Sequence, residues 1–221
     1  DQVPAALLTS FGQNPATAAE YFSNGQIGYG RWTNGNILIV HNNEPAEIFS
    51  LTGFQSAHWL FGNEFPLQLP ISSVAQYGFM GGTQSTSLSG ATIGLGVLKG
   101  LFSVNFSTGL ASLQMNVNHN SQLYDVRGPL ILVPQDEHYS SVIGGINQVN
   151  ATGGLCSPNP CPAFVDVSYA GPAVGAYPKY MAVGYDIRTA DIIIGLATFS
   201  LQSSLLSSVR TNSVFVAVGP D

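Results

Sequence analysis

Four histidines, His41, His58, His119 and His138, are the first residues to weigh for chemistry. No two stand at i, i+2 or i, i+4, the spacings that bring two imidazoles onto one face to share a metal. His58 lies beside Trp59 in an apolar stretch and reads as a hydrogen-bonded core imidazole. His119 falls in the run Asn118-His119-Asn120 and is expected in solvent. Asp136-Glu137-His138 is the densest polar cluster. Calcium sites gather several oxygen ligands at alternating positions. Two adjacent carboxylates on an extended segment point opposite ways, so a plain surface loop is expected. Nucleophilic catalysis needs a Ser, a His and an acid brought together. The nearest string to a Gly-x-Ser-x-Gly elbow is Gly53-Phe54-Gln55-Ser56, which lacks the pattern. Gly81-Gly82-Thr83 and Gly94-Leu95-Gly96 precede no helical pattern and carry no phosphate-loop lysine, so they read as turns and barrel corners. The twelve acids lie mostly in turns or near chain ends, which argues against a carboxylate pair for glycoside hydrolysis. The expectation is a chain that is no enzyme and uses no cofactor or metal.

Cys156 and Cys161 stand in Cys-Ser-Pro-Asn-Pro-Cys. A small disulfide-closed loop fits this spacing best; a metal site is the rival, but two thiolates supply half a zinc shell. The disulfide implies an oxidising compartment, hence an exported, extracellular or cell-surface protein. The opening Asp1-Gln2-Val3-Pro4 shows no basic or apolar signal region, and a processed chain or a fragment of a precursor is expected. Asn105-Phe106-Ser107 and Asn150-Ala151-Thr152 match the glycosylation pattern, as chance allows in an Asn-rich chain.

The elements that must position these residues are strands. Hydrophobic residues make up 45% of the 221 and charged residues only 8%, against about 25% in an average soluble protein. Six Lys and Arg against twelve Asp and Glu give a net charge of -6, which leaves no basic face for nucleic acid. No apolar run approaches the ~18 residues of a transmembrane helix. Ala111, Leu113, Met115 and Val117 alternate with Ser112, Gln114, Asn116 and Asn118, a strand with one apolar face. Phe102, Val104 and Phe106 alternate likewise, and Thr108-Gly109 makes the hairpin between the two. Further strands are expected at about 55–61, 74–81, 121–132, 165–169, 181–187 and 191–199. Eight antiparallel strands in meander order predict an all-β fold, a closed barrel with a two-sheet sandwich as the alternative. The predicted organisation has three parts: an extension over 1–54 with a short helix at 15–22 and a hairpin at 26–40, a barrel over 55–200, and a tail over 201–221. The tail is expected to hold a short helix at 201–208 and a strand Val214, Phe215, Val216, Ala217 and Val218. The 9 Tyr, 12 Phe and 2 Trp are expected to plug the barrel rather than line a cavity.

Certain strings also carry a resemblance. Gly30-Arg31-Trp32 is followed by Ala57-His58-Trp59-Leu60-Phe61-Gly62 and Tyr77-Gly78-Phe79-Met80-Gly81-Gly82-Thr83. Gly100-Leu101-Phe102-Ser103-Val104-Asn105-Phe106-Ser107-Thr108-Gly109 and Gly195-Leu196-Ala197-Thr198-Phe199 complete the series. This order resembles the C-terminal β-barrel region of bacterial FecR-domain-containing envelope proteins. That region is similar to the small barrels of transferrin-binding protein B and related surface lipoproteins. The resemblance covers about 28–199 and rests on glycines, aromatics and turn residues. It implies a barrel at the bacterial surface and assigns no catalytic or binding residue.

The charge deficit orders the functional expectations. A surface covered by neighbouring subunits does not need the ions that keep a lone domain soluble. Neutral Asn, Ser and Thr also lose water at lower cost than ions. The first expectation is a non-enzymatic structural subunit of a filament, sheath or matrix, associating with itself or another surface protein, with 214–218 as its linking strand. The second is a surface module that binds a ligand or protein. The third is an envelope signalling protein related to FecR-type regulators.

Overall fold

The computed structural model describes residues 16–39, 47–62, 73–131, 147–174 and 177–206. These residues form twelve strands and no helix. Strands β1 (Thr17–Ser23), β2 (Ile27–Ile39) and β3 (Glu47–Gly62) make an antiparallel three-stranded sheet in the order β1-β2-β3. Eight further strands form the closed barrel: β4 (Ser73–Gly82), β6 (Gly96–Asn105), β7 (Leu110–His119), β8 (Gln122–Ile131), β9 (Asn147–Gly153), β10 (Cys161–Val174), β11 (Tyr177–Arg188) and β12 (Ile192–Leu206). Each is antiparallel to the next, and β12 pairs back onto β4 to close the ring. The short β5 (Thr86–Ser87) adds to β12 beyond the end of β4. The fold is thus all-β with a closed eight-stranded barrel, and the sandwich alternative falls away.

The alternation read from the sequence decides which side of each strand faces in. Leu113, Met115 and Val117 of β7 are buried, while Ser112 and Gln114 are exposed. Tight turns fix the register. Gly109 takes φ +69° between β6 and β7. Asn120 and Ser121, at φ +47° and +61°, form the two-residue turn between β7 and β8 that matches strand twist. Gly96, at φ +80°, opens β6 against the Thr83 carbonyl, where a Cβ has no room. This is the barrel corner expected for Gly94-Leu95-Gly96.

Aromatic rings fill the interior. Tyr77, Phe102, Tyr124 and Phe199 are the largest fully buried side chains. Phe199 lies against both Phe79 and Phe102, at 6.1 Å between ring centres in each case. Burying each such ring contributes about 2 kcal/mol by removal of apolar surface from water. Burial also holds the Tyr77 and Tyr185 hydroxyls far above the ordinary phenol pKa.

Four sequence expectations are corrected. The hairpin at 26–40 is instead the single strand β2, in which Asn34 and Gly35, at φ +53° and +129°, form a bulge against β3 rather than a turn. The helix at 15–22 is replaced over 17–23 by strand β1, because this segment docks on the edge of β2 and its Glu20 meets Arg31. The stretch 55–61 belongs to β3 and pairs with β2, not with the barrel. Its place in the ring is taken by β9, a strand of Asn, Gln and Gly in which Val149 and Ala151 face inward. The helix at 201–208 is absent through Leu206, since β12 continues there along β4 from Leu201↔Tyr77 to Leu206↔Ser73. The strand at 214–218, the cluster 136–138, His41 and His138 lie outside the described residues.

Candidate functional site

The N-terminal sheet lies on the outer wall of the barrel. Ile27 packs with Tyr180, Leu60 and Met80. Gln26 accepts hydrogen bonds from Lys179 and Tyr180 at 2.7 and 3.1 Å. The inner face of the sheet is polar further along. Arg31, 5% exposed, donates to Glu20 at 2.5 Å, to Ser56 at 3.0 Å and to Gln84 at 2.9 Å. Glu20 in turn accepts the Gln84 amide at 2.8 Å. The guanidinium is therefore neutralised and its donors are engaged, which a buried charge requires. Together Glu20 and Arg31 clamp the sheet onto the chain that follows β4.

His58 stands one strand over. Its Nδ1 lies 2.8 Å from the Thr83 hydroxyl and its Nε2 lies 3.1 Å from that of Thr86. Burial, followed by the positive charge of Arg31, lowers its pKa to about 3. The ring is a neutral, hydrogen-bonded imidazole, the structural role expected of it.

His119 departs from expectation. It is 4% exposed rather than solvated, because the β5–β6 segment folds over it. Ser85 donates to the Asn118 carbonyl at 2.9 Å. With its one proton committed, the Ser85 hydroxyl accepts from His119 Nδ1 at 3.0 Å. That leaves Nε2 to accept from the Thr92 hydroxyl at 2.7 Å. A nucleophilic serine must give its proton to the imidazole, so Ser85 and His119 are wired in the opposite sense. The nearest acid, Asp191, is bound to Ser89 and to the Ile192 amide. Burial works against its charge, but the Ser89, Ile192 and Ser87 hydrogen bonds outweigh burial and hold its pKa below the ordinary carboxylate value. These residues brace the barrel rim.

The outer face of the sheet is of another kind. Cross-strand rows there are Ala18, Trp32 and Ala57; Tyr21, Gly30 and Trp59; and Ser23, Gly28 and Phe61. Every large ring thus sits beside a residue with little or no side chain. Trp59 lies over Gly30 and Phe61 over Gly28, filling the positions a Cβ would take. The Trp59 and Phe61 rings are within 8° of parallel, with centres 5.8 Å apart. Trp32 and Tyr21 each approach Trp59 at 5.8 Å. Tyr21 remains 66% exposed and Phe61 44%, so the stack faces solvent.

No known family model and no curated protein matches the chain. Cys156 and Cys161 are bonded to each other, as expected, and close the loop between β9 and β10. They lie apart from the aromatic face. Sequence reading missed that face. Its signal was present in Gly28-Tyr29-Gly30-Arg31-Trp32 and Ala57-His58-Trp59-Leu60-Phe61, where rings alternate with small residues, but only pairing shows that rings and glycines oppose each other.

Proposed function

We propose that this chain is an exported, non-enzymatic binding module whose working surface is the outer face of the N-terminal sheet. The observation that carries this reading is the aromatic cluster of exposed Tyr21 and Phe61 with half-buried Trp32 and Trp59, on a sheet whose other face is clamped to the barrel. Exposed apolar clusters are costly to keep and mark interaction sites. The ring-filled barrel suits a rigid support better than a ligand cavity. The disulfide fits an oxidising location outside the cytoplasm. Printed arrays of glycans and of extracellular proteins, probed with the native chain and with Tyr21→Ser/Phe61→Ser, test the reading. A target bound by the native chain and lost in the folded variant supports it. Equal binding by both removes this face from consideration.

Self-association is a second reading, favoured by one feature. The outer edge of β1 pairs with no strand among the described residues, and such an edge accepts another strand. Sedimentation across a concentration series tests it. Oligomers that dissociate on Ala19→Lys support edge pairing, and a monomer at every concentration excludes it.

A further inference from the structure

Resting on the reading that the outer face of the N-terminal sheet binds a partner, we infer that its ligand is a neutral glycan, held by the flat faces of Trp59 and Phe61. Three observations select this chemistry.

The first is orientation. Trp59 and Phe61 reach sideways across Gly30 and Gly28, near-parallel at 8°, so they lie along the sheet instead of standing on it. A ligand meets ring faces there. The face of an aromatic ring is its negative side and attracts weakly positive C–H bonds. A pyranose ring presents such C–H bonds on one flat side, with hydroxyls around its rim.

The second is charge. The nine residues of the face, Ala18 to Phe61 in the rows above, include no acid or base. The nearby ions, Arg31 and Glu20, are turned to the other side and paired with each other. An anionic ligand would find no counter-charge and would meet the negative faces of the rings, whereas a neutral one loses nothing. Ser23, at the end of the platform, accepts the Gly25 amide at 3.2 Å. Its proton remains available for a sugar hydroxyl.

The third is size. The face is three strands wide and five residues long on β2, about 10 Å by 13 Å. Its rings, already partly covered by each other, offer a few hundred Å² at most. A stable protein interface takes about 800 Å² from each partner. A second copy of the chain would therefore be held poorly by this face alone, while a pair of sugar rings would cover it.

Both tryptophans of the chain are on this face, so intrinsic emission reports on it directly. The native chain is titrated with cellohexaose, maltohexaose and chitohexaose. We expect a saturable emission change with at least one of them. Trp59→Ala, which keeps Trp32 as reporter, should weaken that binding about tenfold, the scale of losing one stacking ring. Trp59→Phe should retain most of it, and Phe61→Ser should weaken it with both tryptophans in place. Thermal melts check that each variant is folded. No emission change and no calorimetric heat up to millimolar hexasaccharide overturns the inference. In that event the array comparison of Tyr21→Ser/Phe61→Ser decides the wider reading: a protein target lost in the variant keeps the face as a binding surface, and no lost target removes it too.

Discussion

At the scale of single residues, the most informative groups are two buried side chains, His58 and Arg31. His58 is neutral when folded because burial and Arg31 hold its pKa at about 3. Unfolded, it titrates near 6.5. Between these values the unfolded chain binds a proton that the folded chain refuses. Its contribution to stability is therefore complete above about pH 6.5 and declines as pH falls, by up to ~1.4 kcal/mol per unit. His119 is shifted in the same direction by burial. Urea midpoints measured from pH 7.5 down to pH 4 should fall, and His58→Gln should flatten the decline. Arg31 is the second group. Arg31→Met leaves the Glu20 carboxylate under the sheet and strips Ser56 and Gln84 of a donor. Breaking such a pair costs about 3 kcal/mol, and adding Glu20→Gln should restore part of it in a double-mutant cycle.

Among the elements, β7 was plain in the sequence because its two faces differ in polarity at every position from Ala111 to Asn118. Met115, fully buried at the centre of that strand, tests the reading: Met115→Asp should destabilise the barrel by about 3–5 kcal/mol in chemical denaturation, through an unpaired buried charge. The strands that were misread share a different property. In β1 the run Ala-Thr-Ala-Ala-Glu favours a helix locally, and pairing with β2 overrides that preference. In β9 only Val149 and Ala151 announce an inner face, and the rest reads as loop. β3 was recognised as a strand but given to the wrong sheet, since alternation says which face is buried and not against what. The aromatic face was illegible for the same reason: it exists only when Gly28 and Gly30 oppose Phe61 and Trp59. The Cys156–Cys161 link, legible from spacing, closes a short loop. Its reduction should lower stability by only about 2 kcal/mol, readable as a shift in the urea midpoint between unreduced and reduced protein.

For the molecule as a whole, the low charge content is the feature the fold must accommodate. Only three ion pairs occur among the described residues, and two of them, Arg127–Asp125 and Arg188–Asp186, join next-but-one neighbours on exposed strand faces. Such pairs contribute little. Hydrogen-bonded Ser, Thr and Asn do the joining elsewhere, as at Ser85, Thr92 and Thr83. A surface of this kind suits either reading of function, and the tail separates them. Residues 214–218 lie outside the described residues. If self-contact is their task, deleting 209–221 should abolish concentration-dependent sedimentation. A glycan-binding monomer should keep both its sedimentation and its hexasaccharide titration.

The seam between β4 and β12 joins the first strand of the ring to the last. It also sets an order in time. While the chain is being made, β4 to β11 can pair with sequence neighbours, but one flank of β4 stays open until β12 arrives. Pairings so distant along the chain are slow to form. An incomplete ring with an exposed strand flank is the species most prone to joining another chain. The interval between synthesis of β11 and delivery of β12 is therefore when this protein most needs a chaperone.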